Sequence, residues 1–512
     1  MSLGLHDRFL CGSLTLAPGY APSVNSTPSR LACLSVLTLL AGTIASASTP
    51  LPADDRVTVF TGGTIIPISG PAITPGRLII RGSTIAAIGP DSADGPAIPP
   101  GAAVIDATGK TIMPGLVDTH SHIGGVGGAD SSAPIQPDVR VADSINVRDS
   151  GFRRAAAGGI TTLNVMAGSG HLLSGQTVYL KLRAPSRART IDDLAYRAPD
   201  GSLAGGMKMA NGTNSIGAPP YPGTRGKSAA LIREQYVRAQ EYADKLARAV
   251  KKDDAGNLVP DPEKRPARDL ALEALGSVIR GERIVQHHTH RADDIMTVLR
   301  FAKEFNCRVV LHHVSEAWKV APEIAAADTG WGSKGIKGTP VSAIVVDAPG
   351  GKLEAAELSW ETGAVLERAG VTVAFHTDDW ITDSRLFLRS AALAVRAGMS
   401  RDGALAALTL SGAKMLDLES RLGSLEPGKD ADFIILSGDP LSVYTKVEQT
   451  WTDGEKIFDR ADPKDRLYAV GGLGAGHDQA PYLCCYTTGV IQFGGKQWGV
   501  GGGAHQSEAA AP

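Results

Sequence analysis

This chain of 512 residues contains few cysteines and carries little net charge. Only five cysteines occur, and none of them forms the CxxC spacing of a structural zinc site. Lysine and arginine number 51 against 53 aspartates and glutamates, a formal net charge of −2. This balance argues against nucleic acid or an anionic membrane as the main partner. The hydrophobic content of 43% is that of a globular protein, and the length allows one large domain and a smaller one.

An apolar run follows Arg30 and extends from residue 31 to residue 44. Ala45-Ser-Ala47 then supplies the small-x-small pattern of a signal-peptide cleavage site, and the run is too short for a typical membrane span. We therefore predict a leader and signal peptide over residues 1–47, and a periplasmic or secreted protein without a stable membrane span. A buried core helix is the alternative for this run.

Short apolar runs separated by glycine and proline occupy both flanks of the chain, at 56–109 and 418–460. Their spacing is typical of strands joined by hairpins. We predict that the two flanks build one small composite β-sandwich domain; two unrelated β appendages are the alternative. Residues 461–512 form a glycine-rich tail, in which Tyr486–Gly494 and Gln497–Val500 can pair as a hairpin.

Between the flanks, residues 110–417 alternate strand-like and helix-like units, which predicts an α/β fold with a parallel sheet or barrel. A charged amphipathic segment, Arg225–Lys252, interrupts the alternation and predicts an insertion near the mouth of a barrel, as a solvated surface helix, with a lid as the alternative. The number of candidate strands is that of a (β/α)8 barrel. They are Thr111–His120, Gly159–Val165, Thr177–Leu182, Gly206–Met209, Arg283–His288, Arg308–His313, Val341–Val346 and Val371–His376.

Metal-binding side chains stand at the ends of these strands. His120 and His122 lie one residue apart, so strand alternation puts both on one face, where they can bind one cation together. Two surface histidines without a ligand are the alternative for an isolated His-x-His. Further strand ends carry His288 and His290, His312 and His313, and His376 and Asp378. This order predicts a metal centre at the carboxyl face of a barrel.

Lys208 lies inside a short apolar strand, where a bare ammonium group is costly. As a carbamate formed with CO2, it would become an anionic oxygen ligand that can bridge two cations. A lysine paired with a carboxylate is the alternative, and Lys181 competes for the bridging role. Imidazole and carboxylate ligands suit zinc, with iron, cobalt or manganese as alternatives. Asp378 suits the role of a base that takes a proton from metal-activated water.

The segment Pro114-Gly-Leu-Val-Asp118-Thr-His120-Ser-His122 resembles the first-strand metal signature of the amidohydrolase superfamily. The segment 422–436 resembles the return of that superfamily's chain into its small β domain. The likeness covers about residues 56–460, and the chain is most similar to the imidazolonepropionase-like and prolidase-like branch. The resemblance implies a distorted (β/α)8 TIM barrel with a β-sandwich, and one or two divalent metal ions.

The resemblance also implies a role for each metal-binding residue. His120 and His122 would bind a buried metal, and His288 and His313 a more exposed one. Lys208 would bridge the metals as an N6-carboxylated lysine, and Asp378 would be both ligand and general base. His290 and His312 are the alternatives on their strands.

The expected function is that of an exported metal-dependent amidohydrolase that binds two divalent ions, with zinc as the first choice, and cleaves an amide or peptide C–N bond by metal-activated hydroxide. Its partner would be a small molecule such as a dipeptide or an N-acyl amino acid; a homo-oligomer is left open. The alternatives are a mononuclear cyclic amidase or deaminase and a non-catalytic exported binding protein on a degenerate barrel. Candidate substrate contacts are His171, Tyr179, His290, Arg291 and His376. Pairing with Asp293 or Asp294 is the alternative for Arg291.

Overall fold

A computed structural model describes residues 56–126, 130–343, 353–379 and 381–471, with the backbone of 491–493 and 496–498. The predicted leader and signal peptide, residues 1–47, lies outside these ranges. The described residues alternate strands and helices in an α/β fold, as the sequence predicts. None of the described helices is both long and apolar enough to cross a bilayer.

The strands follow in chain order. They are β1 (Val57–Ile65), β2 (Ile73–Arg81), β3 (Thr84–Pro90), β4 (Ala103–Asp106), β5 (Thr111–Pro114), β6 (Leu116–Ser121), β7 (Ile160–Val165), β8 (Leu173–Gln176), β9 (Val178–Lys181), β10 (Met207–Ala210), β11 (Val250–Lys252), β12 (Leu258–Pro260), β13 (Val285–Thr289), β14 (Val309–His313), β15 (Val341–Ala343), β16 (Val373–Phe375), β17 (Phe433–Leu436), β18 (Val447–Thr452), β19 (Glu455–Asp459), β20 (Ile491–Phe493) and β21 (Lys496–Trp498).

The α-helices lie between and after these strands. They are α1 (Ser150–Ala157), α2 (Ile191–Leu194), α3 (Arg225–Arg248), α4 (Leu270–Ile279), α5 (Ala292–Phe305), α6 (Ala321–Ala326), α7 (Thr362–Arg368), α8 (Phe387–Arg396), α9 (Arg401–Ala407), α10 (Leu410–Met415) and α11 (Pro463–Val470).

Strands from both flanks of the chain share one eight-stranded sheet, in the order β19-β18-β17-β5-β1-β2-β3 with β4 paired to β1. β17 pairs antiparallel with β5, which joins the C-terminal flank to the N-terminal one. Asp453 and Gly454 both have positive φ and form the two-residue turn between β18 and β19, where an Asp-Gly pair is favoured. Phe433 and Trp451 stack in the core of this sheet. The sandwich form and the domain boundaries stay predictions.

The first predicted barrel strand, Thr111–His120, is two strands in the structure. β5 belongs to the eight-stranded sheet, whereas β6 pairs parallel with β7. The chain passes between the sheets at Gly115, where an added Cβ atom would lie 2.2 Å from the hydroxyl oxygen of Thr161. Only glycine fits so close an approach, which explains why an unbroken apolar run contains two strands.

The central region forms a six-stranded sheet, β16-β15-β14-β13-β10-β8, and a three-stranded sheet, β6-β7-β9. In the six-stranded sheet, β10, β13, β14, β15 and β16 pair in parallel, as predicted. β9 instead runs antiparallel to β7. No helix separates β7 from β9 in the described chain, and a parallel pair would need such a crossover. The prediction of parallel strands is therefore wrong at β9.

The inserted segment forms a helix, as predicted, followed by the β11–β12 hairpin. Thr224 caps α3 by accepting a hydrogen bond from the backbone N–H of Lys227. Tyr236 of α3 is fully buried and packs edge-on against Phe301 of α5, with ring centroids 4.6 Å apart. The predicted tail begins with α11, and its predicted hairpin corresponds to β20 and β21.

A buried ion cluster joins β9 to the eight-stranded sheet. The Nζ atom of Lys181 lies 2.6 Å from an oxygen of Asp430, 3.0 Å from Asp432 and 2.6 Å from Asp453. Burial alone would lower the pKa of Lys181, but Tyr196 and the three carboxylates raise it above the ordinary lysine value. Lys181 is therefore charged, and its salt bridges link β9 to the eight-stranded sheet.

We expect Lys181→Met to lower the free energy of unfolding by about 3–5 kcal/mol, because the three carboxylates would lose the cation that they share and keep only Arg183 and Arg421. Urea denaturation at neutral pH measures this loss. The loss should shrink as the pH falls, because repulsion raises the pKa values of the aspartates in the folded variant and protonation removes that repulsion.

Lys110→Met is the matched control, because Lys110 is 40% exposed and lies 3.9 Å from Glu448. Its loss should stay below about 1 kcal/mol. Equal losses in the two variants would contradict the role assigned to Lys181.

Candidate metal centre

His120 and His122 face the same space at the carboxyl end of β6. Their Nε2 atoms are 3.3 Å apart, so the structure shows the shared face that the His-x-His spacing predicts. Nδ1 of His122 lies 2.8 Å from the carbonyl oxygen of Met166. That carbonyl can only accept, so Nδ1 of His122 carries the proton and its Nε2 lone pair faces the site.

The carboxylate of Asp378 meets histidines from two different strands. Its Oδ1 lies 2.9 Å from Nε2 of His122 and 3.5 Å from Nε2 of His120, and its Oδ2 lies 3.8 Å from Nδ1 of His313. The backbone N–H of Asp378 donates to the carbonyl oxygen of His120 across 2.9 Å. Asp378 thus brings the end of the last strand to the first strand and to β14.

Two of these residues have left-handed backbone conformations. φ is 48° at Asp378 and 69° at His313. Such conformations cost a residue with a side chain about 1–3 kcal/mol and persist only where the surrounding structure holds them. They concentrate at functional sites, which supports a functional role for this pair.

The structure brings Lys208, and not Lys181, to the histidines. Nζ of Lys208 lies 3.1 Å from Nε2 of His120 and 3.3 Å from the sulfur of Met166, and the side chain is fully buried. Lys181 instead occupies the carboxylate cluster described above. Of the two lysines, only Lys208 therefore stands where it can take part in the metal centre.

His288 and His290 approach the same site from β13. The rings of His288 and His313 have centroids 4.4 Å apart, and those of His288 and His290 are 4.7 Å apart. The Oγ atom of Ser315 lies 2.7 Å from Nδ1 of His290. Donor atoms of His288, His290 and Glu354 all lie within 4.8 Å of one another. The ligand atoms of His290, the alternative on its strand, and of His288 are thus close enough to bind one ion together.

Glu354 is a site residue that the sequence analysis missed. It is buried within the short turn Leu353–Ala355, and its Oε2 accepts a hydrogen bond from the backbone N–H of Thr213 across 2.8 Å. Arg225, the first residue of α3, lies 3.7 Å from the same oxygen. No motif surrounds Glu354; the available signal was an acidic residue in the segment after the seventh predicted strand.

His376 and His312 complete the group of imidazoles. His376 stacks on His120 with centroids 4.9 Å apart, and its Nε2 lies 3.2 Å from Nδ1 of His313. Its Nδ1 lies 2.7 Å from the hydroxyl of Ser342. Donor atoms of His120, His312 and His376 form another group that could hold a metal ion. His376, predicted as a substrate contact, is therefore packed among the candidate ligands.

In the structure, the other predicted substrate residues contact groups other than these imidazoles. Tyr179 is buried in an apolar cluster with Val117 and Tyr196. His171 is buried with its ring centroid 5.4 Å from that of Tyr221. Arg291 is exposed and forms two hydrogen bonds with Asp293, at 2.9 and 3.1 Å, which is the alternative considered for it. Substrate contact by these three residues stays a prediction.

Electrostatics give the site the protonation states that metal ligands need. Burial holds the pKa values of His120 and His313 well below the ordinary histidine value, with neighbouring cationic groups adding to the effect. Burial also lowers the pKa of His376 to about 3. For Asp378, burial alone would raise the pKa, but the neighbouring His122 outweighs it, so the pKa of Asp378 lies below the ordinary value. Neutral imidazoles beside an ionised carboxylate are ready to bind a divalent cation.

The sequence profile of the amidohydrolase family matches residues 344–458. A crystal structure of an amidohydrolase from Thermotoga maritima is 30% identical, with a TM-score of 0.67, over 79% of this chain and 100% of that one. Amidohydrolase tasK of Hapsidospora irregularis is 29% identical over 381 residues, 71% of this chain; this chain spans 38% of its length. The 5-methylthioadenosine/S-adenosylhomocysteine deaminase of Symbiobacterium thermophilum is 26% identical over 413 residues, 74% of this chain and 85% of that protein.

The chain belongs to the amidohydrolase superfamily, as its first-strand motif predicts. It is accordingly a hydrolase of the class that acts on carbon–nitrogen bonds. Its clustered histidines and aspartate are groups that can bind a divalent metal ion, in agreement with that membership.

We expect His120→Ala to weaken metal binding more than the roughly 10- to 100-fold that loss of an outer-shell partner costs, because His120 contacts His122, Lys208 and Asp378 directly. Competition with a chelator measures the affinity. His287→Ala is the matched control. His287 is buried like His120, but it lies on β13 and its Nδ1 contacts the carbonyl oxygen of His288. Full metal occupancy in His120→Ala would contradict the assignment.

Proposed function

We propose that this hydrolase is a binuclear metal-dependent amidohydrolase that cleaves an amide or peptide C–N bond in a dipeptide or an N-acyl amino acid. The observation that carries the proposal is the position of Asp378. Its carboxylate lies within 3.8 Å of nitrogen atoms from His120, His122 and His313. An ionised carboxylate in the middle of the candidate ligands can serve as both ligand and base.

The proposed framework is a distorted (β/α)8 barrel with the site at its carboxyl rim. Two contacts between the three-stranded and the six-stranded sheet support closure of these sheets into a barrel. The backbone N–H of Thr177 donates to the carbonyl of Gly206 across 3.0 Å, and that of Asp378 donates to His120. These contacts lie on opposite edges of the three-stranded sheet, so they connect it to the six-stranded sheet on both sides. A β-sandwich built on the eight-stranded sheet would complete the fold.

The residues present fit two divalent ions, for which zinc is the first choice. His120 and His122 would hold one ion, and His288 and His313 the other. Lys208 would bridge them after its neutral amine attacks CO2, which forms a carbamate and releases one proton. When bound, the ions would lower the pKa of water from about 15.7 towards ~7 and polarise the scissile carbonyl.

Asp378 would move the proton. One of its carboxylate oxygens would accept a proton from the attacking water and then deliver it to the leaving nitrogen, so that the carboxylate is regenerated. The hydrogen bond of its backbone N–H to His120 orients the carboxylate for both steps. His376, held by Ser342 at one ring nitrogen, would limit the movement of the neighbouring imidazoles.

We also propose that the protein is exported. The support is the apolar run after Arg30 and the Ala45-Ser-Ala47 pattern in the sequence. N-terminal sequencing of the secreted or periplasmic protein tests this location. A new N terminus near residue 48 would support it, and retention of residues 1–47 on the folded protein would contradict it.

A mononuclear deaminase or cyclic amidase is the second candidate function. The observation that favours it is the likeness to the Symbiobacterium thermophilum deaminase, which extends over 85% of that protein. In that case Lys208 would stay an amine. A deaminase would release ammonia from the substrate, whereas a cyclic amidase would open a ring and yield a single product.

A substrate panel with the zinc-loaded enzyme separates the two functions. It should contain dipeptides, N-acyl amino acids, cyclic amides and aminopurines, with products identified by mass spectrometry. Cleavage of an acyclic amide into an amine and an acid supports the proposal. Turnover confined to ring opening or to ammonia release would contradict it.

We expect Asp378→Asn to lower kcat by about 10²- to 10⁴-fold, because the amide cannot accept the proton of the attacking water. The fold and most of the bound metal should remain, since the amide oxygen can still act as a ligand. Steady-state kinetics, with circular dichroism and metal analysis of the same sample, measure the three effects. Undiminished turnover would remove Asp378 as the base.

A further inference from the structure

A chain of hydrogen-bond contacts runs from Gln286 through His312 to His120. Oε1 of Gln286 lies 2.7 Å from Nε2 of His312, and Nδ1 of His312 lies 3.2 Å from Nδ1 of His120. All three side chains are fully buried. The sequence analysis considered His312 only as an alternative ligand and did not consider Gln286 at all.

The amide of Gln286, at the end of this chain of contacts, sets the direction of the hydrogen bonds. Oε1 of an amide can only accept, so Nε2 of His312 must carry the proton. In a neutral imidazole the other nitrogen then has a lone pair, so Nδ1 of His312 accepts from Nδ1 of His120. His120 is left with its lone pair on Nε2. That nitrogen is the one beside His122, Lys208 and Asp378.

We propose that Gln286 and His312 are positioning residues that fix the tautomer of His120 for metal binding through Nε2. This inference rests on the proposed metal centre. The partner at the second ring nitrogen of a metal-binding histidine orients the ring and raises its basicity as a ligand. His122 receives this support from the carbonyl of Met166. His120 receives it from two side chains in series, one on β13 and one on β14.

The arrangement has one direct competitor. His120, His312 and His376 have donor atoms close enough to hold an ion between them. His312 would then be a ligand through Nδ1, and removing it would abolish one binding site. In the proposed arrangement its removal weakens a site but leaves the number of sites unchanged.

The test compares Gln286→Met, which removes the acceptor, with Gln286→Glu, which keeps an oxygen at the same distance. Zinc affinity is measured by competition with a chelator, and the visible absorption spectrum of the cobalt(II)-loaded protein reports ligand geometry. We expect Gln286→Met to lose affinity by about 10- to 100-fold and to change the cobalt spectrum. Gln286→Glu should restore both.

Gln449→Met is the matched control. Its Oε1 also accepts a ring N–H, from Trp451 across 3.0 Å, but in the eight-stranded sheet. Its affinity and cobalt spectrum should equal those of the wild type. His312→Ala provides a second variant that does not depend on how Gln286→Met folds, and it should bind the wild-type number of ions at saturation with lower affinity.

Wild-type affinity and spectrum in Gln286→Met would overturn the proposed relay from Gln286 through His312 to His120, while leaving the metal centre intact. Loss of one ion per chain at saturation in His312→Ala would also overturn it, because His312 would then be a ligand. A wild-type protein that binds neither zinc nor cobalt would overturn the proposed metal centre and the relay with it.

Discussion

The hydrogen bonds between the last and first strands of the central region bring the site together. Asp118 on β6 accepts hydrogen bonds from the backbone N–H and the hydroxyl of Thr377, at 3.0 and 2.5 Å. The next residue, Asp378, donates its own N–H to His120. Burial raises the pKa of Asp118 to about 7, against the opposing effect of the Thr377 bonds. These contacts fix Asp378 beside the histidines, although the two strands are far apart in sequence.

The packing of the imidazoles has a clear electrostatic consequence. His376 stacks on His120, and His290 stacks on His313 with centroids 5.2 Å apart. Several protonated rings at these distances would repel one another in a buried space. Burial keeps His120, His313 and His376 neutral. In a neutral ring, an acceptor at one nitrogen leaves a lone pair on the other, which can act as a ligand. The same burial that keeps these imidazoles neutral therefore prepares the site for cations.

Much of the site was accessible from the sequence because it follows strand periodicity. His120 and His122 share a face by the two-residue repeat, and His313 and Asp378 stand where parallel strands end. The choice between Lys208 and Lys181 was not accessible, because both lie in short apolar strands. The position of Lys181 depends on its salt bridges with Asp430 and Asp453, which are 249 and 272 residues from it in the sequence.

The same limit explains the other differences. The antiparallel course of β9 depends on how the loop before it folds back, which hydrophobic alternation does not encode. Gln286 was overlooked because an amide in a strand has no motif; its role arises only from its register with Lys208 on β10 and its contact with His312. Glu354 lies in a short turn without periodicity. Chain-local patterns thus identified ligand types, and long-range contacts decided which of them meet.

The metal content of the folded wild-type protein tests the central claim most directly. Purified protein should be loaded with zinc in bicarbonate buffer, freed of loose metal by gel filtration and analysed by mass spectrometry for zinc per chain. The account predicts about two ions per chain. A folded protein that retains no stoichiometric metal would contradict it.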